Sequence, residues 1–96
     1  MKESHSITNN LLLEVEVLTN RLRNIKQTFK TTQNMGLRER LFSENKNIFE
    51  RIDEIYKIAE NLEKSNNEEF SFSALLFEKT KRTLKENEFK INLFFL

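Results

Sequence analysis

The sequence predicts an all-α fold: an antiparallel helical hairpin plus a third, shorter helix, in a three-helix bundle or coiled-coil-like arrangement that self-associates. Three observations carry this expectation. Leu11, Val15, Leu18, Leu22, Ile25 and Phe29 recur at alternating steps of four and three, an a/d heptad seam that must be hidden from water. Leu41, Asn45, Ile48, Ile52, Ile55, Ala59 and Leu62 repeat that spacing in a different phase. The chain has no proline and a single glycine, so little interrupts a helix inside these stretches.

The first helix is expected from about Thr8 to about Asn34. Thr8 is a suitable N-cap, with Ile7 and Leu12 placed as a hydrophobic staple and Ser4 or Ser6 as rival caps. Gly36 offers a residue able to adopt the left-handed conformation that ends a helix. The second helix is expected over about 37–64, where Phe42, Phe49 and Tyr56, each seven apart, lay a second apolar stripe beside the seam. So wide a face suits a helix with two neighbours, and these three rings are expected to be largely buried. The two seams are out of phase by two residues, which favours a turn near Gly36 over a kinked continuous rod. Ser65 and Glu68 match a capping box for a third helix over about 68–89, its seam read as Phe70, Ala74, Phe77, Lys81 and Leu84, with Leu76 and Thr80 at the flank. The period-two run Phe70–Ser73 leaves that start between Glu68 and Ser73. Residues 90–96 form an apolar tail ending Leu-Phe-Phe-Leu, in which Phe94 and Phe95 stand out as interface residues.

Length and composition fit one helical domain over residues 1–96. No apolar run approaches the roughly 18 residues that a membrane span needs, and no basic-then-apolar leader opens the sequence, so a cytoplasmic location is expected. The net charge is only +1, but it is unevenly distributed. Residues 18–43 hold six basic side chains against Glu39 alone, while residues 44–69 are predominantly acidic, which favours pairing between the first two helices.

Catalytic, cofactor and metal sites are not expected. His5 is the only histidine and has no converging ligands nearby. Asp53, Lys57, Glu60 and Lys64 have the i,i+3 and i,i+4 spacing of a solvated face. There is no glycine-rich phosphate loop, no serine with a usable base, and no cysteine. Arg21, Arg23, Lys26 and Lys30 form a basic group off the seam, able to contact phosphates or an acidic partner. Asn45 is open to two readings, a buried amide that fixes register or a partly exposed seam position.

The function expected on these grounds is a non-enzymatic protein–protein interaction module, such as an adaptor, assembly factor or scaffold subunit. Its partners are proteins, a second copy of the chain among them, with no small-molecule ligand. Two other readings stand beside it. One is a dedicated inhibitor, immunity or antitoxin-type protein or chaperone of a single partner. The other is a nucleic-acid-binding regulator using the basic residues of the first helix.

Overall fold

A computed structural model describes residues 2–64 and 72–93, with side chains for 7–64 and 73–86. The described residues form three helices and no strand: α1 (Lys2–Thr31), α2 (Met35–Lys64) and α3 (Phe72–Leu93). Each helix packs against the other two in a bundle. At a rise of about 1.5 Å per residue, the two 30-residue helices account for the 49 Å length, against 21 and 15 Å across.

α1 begins before Thr8, so Thr8, Ser4 and Ser6 stand within the helix and not at its N-cap. No breaker stands between Lys2 and Thr8, and Thr8 turns inward, 5% exposed. The staple of Ile7 and Leu12 fails with it: Ile7 is exposed and Leu12 is core.

The turn is likewise not made by Gly36, which lies in the first turn of α2 with an ordinary negative φ. The break falls at Thr32, Gln33 and Asn34, and Asn34 caps α2. Its Oδ1 accepts the Leu37 amide at 3.0 Å, and its carbonyl accepts the Arg38 amide at 3.0 Å. The Thr32 hydroxyl accepts the Asn34 amide at 3.2 Å, and the Arg38 guanidinium lies 4.1 Å from the centre of the Phe29 ring, closing the end of the bundle. A Cβ at Gly36 would meet only Asn34 Oδ1, at 3.4 Å. Gly36→Ala is therefore expected to raise stability by about 0.5–1 kcal/mol, the helical difference between the two residues. A thermal melt checks this; a lowered midpoint would mean that the turn needs glycine.

The interior has two apolar clusters. Leu12 and Val15 of α1, Ile55 and Ala59 of α2 and Leu76 of α3 form one, edged by Leu11 and Phe77. Leu22 and Ile25 of α1 with Leu41, Ile48 and Ile52 of α2 form the other, edged by Leu18, Phe29, Leu37 and Leu84. Asn45 lies on the same stripe of α2, 4% exposed, which settles its position as buried. Among the described residues, no fully buried side-chain nitrogen or oxygen lacks a hydrogen-bond partner.

α3 turns a different stripe inward from the one expected. Ser73, Leu76, Thr80 and Thr83 are buried, Ala74, Phe77 and Leu84 are half-buried, and Lys81 is exposed. Threonine can occupy such a stripe because its hydroxyl is satisfied within its own helix. Thr80 Oγ1 donates to the carbonyls of Leu76 at 2.8 Å and Phe77 at 3.0 Å, and Thr19 Oγ1 does the same to Val15 at 2.7 Å. The larger Phe77 moves to the edge and stacks on Tyr56, with centroids 5.2 Å apart. Phe42, Phe49 and Tyr56 are half-buried, not largely buried, since they flank the inward stripe of α2. α3 also runs past Phe89 to Leu93, so residues 90–93 are helix and not tail. The capping box at Ser65 and Glu68, Phe70, and the tail residues Phe94 and Phe95 lie outside the described residues.

Candidate interaction surface

The seams that had to be hidden from water are spent inside the bundle. Val15, Leu22, Ile25, Leu41, Ile48, Ile52 and Ile55 are buried, and Leu11, Leu18 and Phe29 are half-buried around them. What the chain can offer another molecule is therefore what lies outside these contacts.

On one side, α1 and α2 are joined by two ion pairs. The Arg51 guanidinium grips the Glu14 carboxylate in a fork, Nε to Oε2 at 2.6 Å and Nη2 to Oε1 at 3.0 Å, and also reaches Glu54 at 3.1 Å. Arg21 grips Glu44 in the same way, with Nη2 to Oε1 at 2.8 Å. Hydrogen bonds from the arginines hold both carboxyls below the usual carboxylate range, outweighing the small opposing effect of burial. Hydrogen bonding to the acids correspondingly raises the pKa of both arginines. A depressed carboxylate pKa adds stability above the unfolded-state value, about 4.3 for Glu, and that contribution is lost as pH falls through the folded-state value. All four side chains are well exposed, so solvent screening leaves each fork only a small contribution to stability. The stability gap between the wild type and Glu14→Gln is thus expected to be open at neutral pH and to close in acid. Chemical denaturation across pH measures it; a gap that widened in acid would contradict the assignment.

On the other side, α1 and α3 enclose a shallow groove of about 280 Å³, lined by Glu16, Thr19, Arg23, Lys79, Arg82 and Glu86 among others. Thr19 and Thr83 meet across it, 3.3 Å between hydroxyl oxygens. The groove mixes both signs of charge. The basic group of α1 is thereby divided: Arg21 is taken up by Glu44, Arg23 lines the groove and touches Asn20 at 3.4 Å, Lys26 is half-buried and Lys30 is exposed. No three metal-ligating side chains converge among the described residues, and none of the described helices is long and apolar enough to cross a membrane.

The remaining face is the outer side of α1. Asn10, Leu13, Val17, Asn20, Asn24, Gln27 and Thr31 follow one another at steps of three and four, and all are exposed. Leu13 is 54% and Val17 is 66% exposed. With Asn9 and Thr28 at its margins, the stripe carries no charge, whereas 32% of the whole chain is charged. The outer side of α2 is different. It carries Glu39, Arg40, Lys46, Glu50 and Lys57, and the pairs Asp53–Lys57 at 3.1 Å and Glu60–Lys64 at 3.6 Å. The α1 stripe was missed in the sequence because the stronger inner seam drew the reading. Its signal is a second a/d run on the opposite side of the same helix, without a single Lys, Arg, Asp or Glu.

Compared with known family models, curated proteins and solved structures, the chain matches none.

Proposed function

We propose that this protein is a non-enzymatic protein–protein interaction module, an adaptor, assembly factor or scaffold subunit, whose contact surface is the outer face of α1. In this reading α1 and α2 form an antiparallel hairpin. Glu14 pairs with Arg51 and Arg21 with Glu44, so seven residues forward in α1 corresponds to seven backward in α2. The two apolar clusters hold the hairpin together, the ion pairs mark its register, and α3 braces its inner side.

The observation that carries the reading is the uncharged stripe with Leu13 and Val17 exposed at its centre. A helix face meant only for water is cheapest to build from Lys, Glu, Arg and Gln, which are good helix formers and pair along the helix. Here asparagine and threonine, which are poorer helix formers, hold those positions together with two bare aliphatic side chains. Interfaces are depleted of charge at their centres, as this stripe is. The basic residues of α1 support a nucleic-acid reading less well, because Arg21 is neutralised by Glu44 and Arg23 lines a groove of mixed charge, with Glu16 and Glu86 beside Lys79 and Arg82.

The test uses tagged full-length protein as bait in its source cells, beside a Val17→Glu bait whose fold is verified by circular dichroism. A protein retained by the first bait and lost from the second, including an untagged copy of the chain itself, is the expected result. An empty eluate, or the same proteins on both baits, would overturn the reading.

A further inference from the structure

We infer that the occupant of the α1 outer face is a second copy of this chain, docked antiparallel about a two-fold axis level with Val15. This rests on the reading of that face as a contact surface and adds the partner and its register.

The part of the stripe from Asn10 to Asn20 is symmetric in position about Val15, and Asn24, Gln27 and Thr31 lie beyond it. Leu13 and Val17 lie two residues to either side, about 3 Å along the axis, and Asn10 and Asn20 lie five residues to either side, about 7.5 Å. An antiparallel copy rotated about that level sets Leu13 against Val17 of its mate and Val17 against Leu13. Four exposed aliphatic side chains thus become one dry centre. It also sets Asn10 opposite Asn20 at both ends. A carboxamide both donates and accepts, so a row of amides is complementary to a copy of itself, where a row of Lys or Glu would repel one. The side chain of Asn10 makes no hydrogen bond within the described chain, and that of Asn20 accepts only from Arg23 through Oδ1, which leaves its amide nitrogen to donate.

The margins are compatible with the docking. Glu14, on the α2 side, is neutralised by Arg51, and Glu16, on the α3 side, shares its groove with Lys79 and Arg82. The spacing of the stripe is that of a coiled-coil seam, so two helices can mesh along it. Most of its positions are amides or hydroxyls, and one helix face buries less than the standard interface of about 1,600 Å². The pairing is therefore a dissociable one.

Sedimentation velocity on the full chain, from about 1 µM to about 1 mM, is expected to show a monomer–dimer equilibrium. Val17→Glu and Leu13→Lys, each with unchanged circular dichroism, are each expected to weaken it at least tenfold. The double variant Leu13→Lys/Val17→Glu is expected to restore it, since antiparallel docking sets each introduced lysine against an introduced glutamate. Because the chain has no cysteine, Leu13→Cys and Val17→Cys can be mixed and oxidised. The mixed disulfide should exceed either homodimeric one. A chain monomeric throughout the range overturns the inference, as does a dimer indifferent to Val17→Glu or one without the mixed cross-link preference. A monomeric chain whose Val17→Glu form still loses a partner in the bait experiment would retain the contact surface and remove only the second copy from it.

Discussion

Ile25→Ala is expected to destabilise the protein by about 3 kcal/mol, within the range seen when a buried aliphatic side chain is cut back to a methyl group. Ile25 is 0% exposed, and its cluster holds Leu22, Leu41, Ile48 and Ile52. The cost has two parts. The removed methyl and methylene groups no longer leave water on folding, and the space they filled stays partly empty because the packed helices around it relax only in part. For a domain of this size, about 3 kcal/mol corresponds to a fall in melting temperature of roughly 12–24 °C. Met35→Ala serves as the comparison. Met35 is 68% exposed at the start of α2, and its truncation is expected to change stability by less than about 0.5 kcal/mol. Thermal melts of the two variants beside the wild type make the measurement. Equal effects would mean that the seam of α1 is not the core of the fold.

That seam was legible in the sequence because it obeys the strongest local rule available, apolar residues at steps of three and four. Val15, Leu22, Ile25, Ile48, Ile52 and Ile55 all lie inside, as the spacing required. What escaped the reading has specific physical causes. Thr8 has the chemistry of a cap, but capping depends on where the preceding backbone goes, and nothing before Thr8 stops the helix. Gly36 was assigned the turn for its freedom, yet a side-chain acceptor at Asn34 and the hydroxyl of Thr32 were enough to end one helix and start the next. In α3 the rule itself misled. A threonine whose hydroxyl is satisfied is nearly apolar in effect, so Thr80, bonded to its own helix, and Thr83, meeting Thr19 of α1, could turn inward while the more hydrophobic Phe77 moved to the edge. The surface proposed for docking escaped for the opposite reason. It is recognised by an absence of charge, and an absence becomes visible only when the inner face of the helix has been accounted for.

The inward stripe of α3 leads to the second large effect. Leu76 is 0% exposed, and among the described residues it is the one large aliphatic side chain that α3 buries fully, beside Ser73, Thr80 and Thr83. Leu76→Ala is therefore expected to remove about 3 kcal/mol. The loss should fall unevenly along the chain. α1 and α2 share the cluster around Ile25 and Ile52, which among the described residues α3 meets through Leu84 at its edge, and the two arginine forks join α1 and α2 without involving α3. Most of what α3 loses with Leu76 has no substitute, whereas α1 and α2 keep contacts of their own. Native-state hydrogen exchange, read helix by helix, measures the difference. Leu76→Ala should accelerate the α3 amides by roughly a hundredfold, tenfold for each 1.4 kcal/mol lost, and the central turns of α1 and α2 by less. A uniform acceleration across all three helices would instead show that the bundle opens as a single unit, with α3 as firmly held as the pair it covers.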